Sequence, residues 1–136
     1  MNLPTEALLH AQLFNWMSES DFEMLANCFD MEVEQLSAGK SCESRGRLGY
    51  LLFGSGCVCH GDWKSPVVAG AVWGLENDPV SDFSPAKETL TAWEDCQLIW
   101  LNYDIMTSVC YRACWFHGRF ITEVKKCLEQ QRRTRN

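Results

Sequence analysis

Two groups of side chains carry atoms able to do chemistry. The first is Cys57-Val58-Cys59-His60. Alternation along a strand puts Cys57 and Cys59 on one face and Val58 and His60 on the other. Covalent haem attachment needs two residues between the cysteines, and here there is one. Free cysteine most often serves as a small hydrophobe, so core packing is the reading taken, with metal or redox use as the alternative. The second group is Cys110, Cys114 and His117, spaced i, i+4 and i+7 along a helix. One helical face would then offer three soft ligands to a metal or haem, and a pair of chains would offer six. These three are outside candidates for a metal site, because Cys110 and His117 also lie on a packing stripe.

No other cluster reaches that level. GxSxG, HExxH and GxxxxGK[ST] are all absent. His10, His60 and His117 fall on different segments with no evident partner carboxylate. A cupin-type metal site needs several histidines on neighbouring strands, and only His60 is expected on one. The tryptophans are scattered rather than set in a stacking row, which fits a core or pocket lining better than a nucleic-acid platform. The formal net charge of -6 opposes phosphate backbones. The basic run Arg132-Arg133-Thr134-Arg135 complements a helix C-terminus. No signal peptide and no apolar span of about eighteen residues is present, so a cytoplasmic, non-membrane protein is expected. Its eight cysteines are then expected as thiols.

The elements that must position these groups follow from the pattern. The 136 residues suit one domain. Residues 1–30 read as helical. Pro4 suits a first turn, and Ser18-Glu19-Ser20-Asp21 has the capping-box form ahead of Phe22, Leu25, Ala26 and Phe29. Residues 31–102 read as a β-roll. Short apolar runs at Met31–Glu34, Leu48–Phe53, Cys57–His60, Val67–Trp73, Thr89–Trp93 and Gln97–Leu101 are separated by glycine turns. Glu76–Ala86, with Asn77-Asp78-Pro79 and Ser84-Pro85, reads as a loop. Residues 103–132 read as a long helix. Met106, Cys110, Ala113, His117, Phe120, Val124 and Cys127 are spaced 4, 3, 4, 3, 4, 3, a heptad seam expected to pair two copies of the chain. Cys114, Ile121 and Leu128 form a second stripe, left to cover the roll. Cys127 is then placed to approach its own copy.

Several fragments, in order, resemble the sensor domain of the Crp/Fnr family of bacterial regulators. Leu8-Leu9 to Phe14 and Met17–Phe22 resemble the family's opening helices. Leu36-Ser37-Ala38-Gly39-Lys40 resembles its Y-P-A-G-E turn, and Leu51–Val58 its L-S-G-x-V hairpin. Ala69-Gly70-Ala71-Val72-Trp73-Gly74 resembles P-G-D-x-F-G, and Thr91–Leu98 resembles V-x-A-x-x-D-C-x-L. The resemblance implies a mainly β, α+β fold: a double-stranded β-helix (jelly roll) of the cyclic-nucleotide-binding kind, with N-terminal helices and a C-terminal dimerisation helix. It also implies a sensor rather than an enzyme, and no cofactor is expected.

In that family a Gly-Glu pair meets the ribose, and an arginine ten residues before the Asp-Cys cysteine grips the cyclic phosphate. Guanidinium offers phosphate a planar fork of donors. Here Ala86 stands ten residues before Cys96, and Gly74 is followed by Leu75, with Glu76 next and Lys87 one place beyond Ala86. A buried cyclic phosphate without that fork is an unpaired anion, which is costly. Gly74, Leu75, Glu76, Ala86 and Lys87 therefore mark a degenerate ligand pocket. Cyclic AMP is not expected to bind in the usual way, and the ligand is an unknown small molecule or none. The family's regulators continue into a helix-turn-helix domain. This sequence reaches Asn136 without one, so either the protein lacks that reader or this is the sensor part of a longer regulator; in both cases it reads as a homodimeric sensor domain that does not itself touch nucleic acid. A thiol-, metal- or haem-based sensor using Cys110, Cys114 and His117 is the alternative, and a small cupin-like enzyme a more distant one.

Overall fold

The computed structural model describes residues 4–28, 30–78, 82–104 and 115–135. Helix α1 covers Thr5–His10 and α2 covers Glu19–Cys28. The expected capping box opens α2. The Ser18 amide donates to Asp21 Oδ2 at 2.9 Å, and the Asp21 amide donates back to Ser18 Oγ at 3.4 Å.

Ten strands follow. They are β1 Glu32–Leu36, β2 Ser41–Glu43, β3 Arg47–Phe53, β4 Ser55–His60, β5 Trp63–Val68, β6 Val72–Trp73, β7 Leu75–Asp78, β8 Asp82–Pro85, β9 Thr89–Ala92 and β10 Cys96–Asn102. Helix α3, Trp115–Arg135, closes the chain. One antiparallel sheet runs β1-β10-β3-β6 and a second runs β2-β9-β4-β5, so each mixes strands from both ends of the β region. The segment read as a loop over Glu76–Ala86 is instead a hairpin. β7 pairs β8 in the register Leu75↔Pro85, Glu76↔Ser84, Asn77↔Phe83 and Asp78↔Asp82. Proline is compatible with so short a ribbon because each strand has an open edge, where a missing N–H breaks no ladder.

Two cores result from strict alternation on β3 and β10. Leu51, Leu98 and Trp100 turn inward and meet Val58, Val67 and Leu90 of the second sheet, together with Trp73. Tyr50, Leu52, Ile99 and Leu101 turn the other way, onto Leu8, Leu13, Phe14, Phe22, Phe120 and Val124 of the helical layer. Both strands are therefore apolar on both faces, which explains their near-continuous hydrophobic runs. Trp73 and Trp100 meet edge-on with centroids 4.9 Å apart. Gly49 makes room for them, since a Cβ there would stand 2.6 Å from the Trp73 ring.

Helix α3 uses the second half of the expected seam within the chain. Phe120, Val124 and Cys127 are 0%, 0% and 5% exposed within this one chain, and the Phe120 ring lies 6.2 Å from that of Phe14. They cover the sheet β1-β10-β3-β6. Ile121 and Leu128, the neighbouring stripe, pack half-buried against the same cluster. The charged groups Arg119 and Lys126 lie outward and pair with Glu123 at 2.9 and 3.5 Å. Met106, Cys110, Ala113 and Cys114, and the side chain of His117, lie outside the described residues. At the far end of α3, Gln131 fastens the helix to β6. Its Oε1 accepts from the Val72 amide at 2.6 Å, and its Nε2 donates to the Val72 carbonyl at 2.8 Å.

Candidate functional site: a seat filled from within

The residues singled out as a ligand pocket lie where β6 runs into β7 and where β8 leads to β9. Gly74 is the pivot. Its φ of +86° is a left-handed conformation, and a Cβ would come within 2.5 Å of the Arg47 carbonyl oxygen. Glycine is the residue that meets both demands. Ala86 is buried opposite it, and the Ala86 amide donates to the Gly74 carbonyl at 2.9 Å. Leu75 turns into the helical core, whereas Glu76 and Lys87 are exposed. The fold thus brings Gly74 and Ala86 together and leaves the two charged candidates facing water.

Glu88 and Ser44 complete the arrangement. Glu88 lies two residues past Ala86 and is only 8% exposed, and its Oε1 accepts the Gly74 amide at 2.7 Å. The Glu88 amide donates to Ser44 Oγ at 3.0 Å, the Ser44 hydroxyl donates to the Ala86 carbonyl at 2.7 Å, and the Ser44 amide donates to the Glu88 carbonyl at 2.9 Å. Ser44 is fully buried. The amides of Gly74, Ala86 and Glu88 all have acceptors inside the chain. His60 Nδ1 stands 3.9 Å from Glu88 Oε2 at the solvent side. An arginine is close by but engaged elsewhere. Arg47 stacks on Trp100 at 4.0 Å, donates to the carbonyls of Ser44 and Glu43 at 3.1 and 3.2 Å, and faces Glu32 at 3.7 Å. A buried carboxylate in receipt of a backbone N–H is what this cradle holds.

Neither Glu88 nor Ser44 was marked by sequence reasoning. Period-two alternation from Ala86 was the available signal for Glu88, since i and i+2 of an extended segment share a side. The Asp95-Cys96 pair has structural duties: Asp95 Oδ1 accepts the Ala38 amide at 3.0 Å, and the Cys96 thiol donates to the Glu94 and Ser55 carbonyls at 3.2 and 3.4 Å. Val58 enters the inter-sheet core, but Cys57 and Cys59 are left half-exposed on the other side of β4, which corrects their reading as core packing. A cleft of 690 Å³ lies elsewhere, against α1 and the outer end of β3, with Glu6, His10, Tyr50 and Phe53 among its walls. Among the described residues no cluster of three or more His, Cys, Asp or Glu side chains is placed to hold a metal ion. No described helix is long and apolar enough to cross a membrane.

Comparison with solved structures identifies the architecture. A candidate cyclic nucleotide-binding protein from Geobacter metallireducens GS-15 superposes with a TM-score of 0.69 at 15% identity, over 95% of this chain and 98% of the other. The chain has the fold of a cyclic nucleotide-binding domain. A cyclic nucleotide-binding domain from Methylobacillus flagellatus KT gives a TM-score of 0.66 at 16% identity, covering 95% of this chain and 76% of its own. The N-terminal domain of a transcriptional regulator from Streptomyces coelicolor A3(2) gives 0.54 at 16% identity, over 96% and 94%. No family model matches the sequence, and no curated protein matches it. The shared fold does not carry the ligand with it, and the cradle has to be judged on its own atoms.

Proposed function

We propose that this chain is the sensor or effector domain of a Crp/Fnr-like transcriptional regulator, a cytoplasmic, non-catalytic binding domain that does not take cyclic AMP in the usual way. The observation that carries the reading is the 2.7 Å contact between the Gly74 amide and Glu88 Oε1. With Ala86 in place of the family's arginine, the seat has no guanidinium fork and already contains a negative charge. A phosphate entering it would meet that carboxylate and would have to displace it from its donor. The Streptomyces coelicolor neighbour, an N-terminal domain of a regulator, supports the sensor assignment. The domain takes another small ligand or works without one, and it leaves nucleic acid to other domains. A homodimer belongs to this reading through the first half of the seam, Met106, Cys110, Ala113 and His117, because Phe120, Val124 and Cys127 are used within the chain.

Titration calorimetry with cyclic AMP and cyclic GMP tests the reading. No binding is expected for either nucleotide up to millimolar concentration. A micromolar Kd for either one overturns it.

A further inference from the structure

We propose that Cys57 and Cys59 form a two-thiolate site for a soft monovalent ion, of which Cu(I) is the representative, on the outer face of the sheet β2-β9-β4-β5. Strand β4 is an interior strand of that sheet, paired with β9 on one side and β5 on the other. Cys57 stands across from Thr91 and Pro66, and Cys59 across from Thr89 and Lys64. The residue between them, Val58, is fully buried in the inter-sheet core, which pins the strand and turns both thiols to the opposite side. Both cysteines are free and half-exposed.

Geometry separates metal binding from disulfide formation. Two strand rises put the α-carbons about 6.6 Å apart, at the upper end of what a disulfide spans. A metal between two sulfurs relaxes that demand, because two metal–sulfur bonds of about 2.3 Å bridge a gap that a single S–S bond does not. Thiolate donors select soft ions such as Cu(I), which is satisfied by two ligands in line. On binding, each thiol loses its proton to solvent and each sulfur gives an electron pair to the ion, with no change in oxidation state. Proton and metal therefore compete, and affinity should rise with pH.

The site is independent of the Glu88 cradle, so either proposal stands or falls alone. The test titrates the reduced full chain with Cu(I), without oxygen, against a chromogenic Cu(I) chelator. One tightly held equivalent is expected, lost in Cys57→Ser and in Cys59→Ser and kept in Cys42→Ala. Retention of that equivalent by either serine variant overturns the proposal, and so does its absence from the unmodified chain. X-ray absorption on the copper-loaded chain gives an answer that does not depend on the variants folding. Two sulfur ligands and no nitrogen are expected, and a third sulfur or any nitrogen in the shell overturns the assignment.

Discussion

Glycine at position 74 is asked to do two things that no other residue type does together. It holds a φ of +86°, and it lets the Arg47 carbonyl oxygen approach to 2.5 Å of where a Cβ would stand. Gly74→Ala should therefore destabilise the domain by about 1–3 kcal/mol from the backbone alone, with the contact to Arg47 adding to it. Urea unfolding of the two proteins measures this. A loss below half a kcal/mol would show that the turn relaxes freely. The same substitution disturbs the amide that Glu88 accepts, so turn and seat stand on one residue. Half of the seat was legible in the sequence. Ala86 and Leu75 stand where the resemblance calls for arginine and glutamate, and counting back from Cys96 is enough to see it. The other half was not, because nothing local says which distant N–H a carboxylate will accept. Glu88 reaches Gly74 across fourteen residues of chain and Ser44 reaches Ala86 across forty-two.

At the level of elements, the sharpest expectation concerns α3. Phe120 is fully buried between α3, Phe14 and the sheet. Phe120→Ala should remove about 3–5 kcal/mol of stability. Because the ring is buried within one chain, the loss should not depend on protein concentration. A seam buried between two chains would make it depend on concentration. Denaturation at two concentrations a hundredfold apart distinguishes the cases. A heptad spacing says that one stripe of a helix is buried, not what buries it: a sheet face of the same chain and a second helix accept the same 4-3 pattern. The β7–β8 hairpin was missed for a similar reason. Pro79 and Pro85 read as loop residues, and only the pairing seen in three dimensions shows one strand ahead of Pro79 and another ending on Pro85. The capping box, the strand runs and the glycine turns were readable because their determinants are local.

For the molecule as a whole, three acids, two buried and one half-buried, tie stability to alkaline pH. Burial, with the Glu34 carboxylate adding to it, pushes the Cys42 thiol from its ordinary 9.0 to about 12. Burial likewise takes Tyr50 from 10.0 to about 12, and burial with Glu123 takes Cys127 from 9.0 to about 11. In each case the folded state holds a proton that the unfolded chain gives up earlier. This stabilising contribution is complete below pH 9.0 and is lost as pH climbs through about 11 to 12. The unfolding free energy should fall steadily above pH 9, and Cys127→Ala should flatten that fall. An unfolding free energy that stays level from pH 8 to 11 would refute it.

The bond pair between Gln131 and Val72 bears on how the molecule avoids its own kind. A short strand at the margin of a sheet normally leaves alternate N–H and C=O groups open, a template on which another chain can add a strand. Here β6 is that margin, and a single carboxamide supplies one donor and one acceptor in the spacing a neighbouring strand would use. The sheet is finished by a side chain instead of a strand. The N–H and C=O that an added strand would use at Val72 are thereby already engaged by α3.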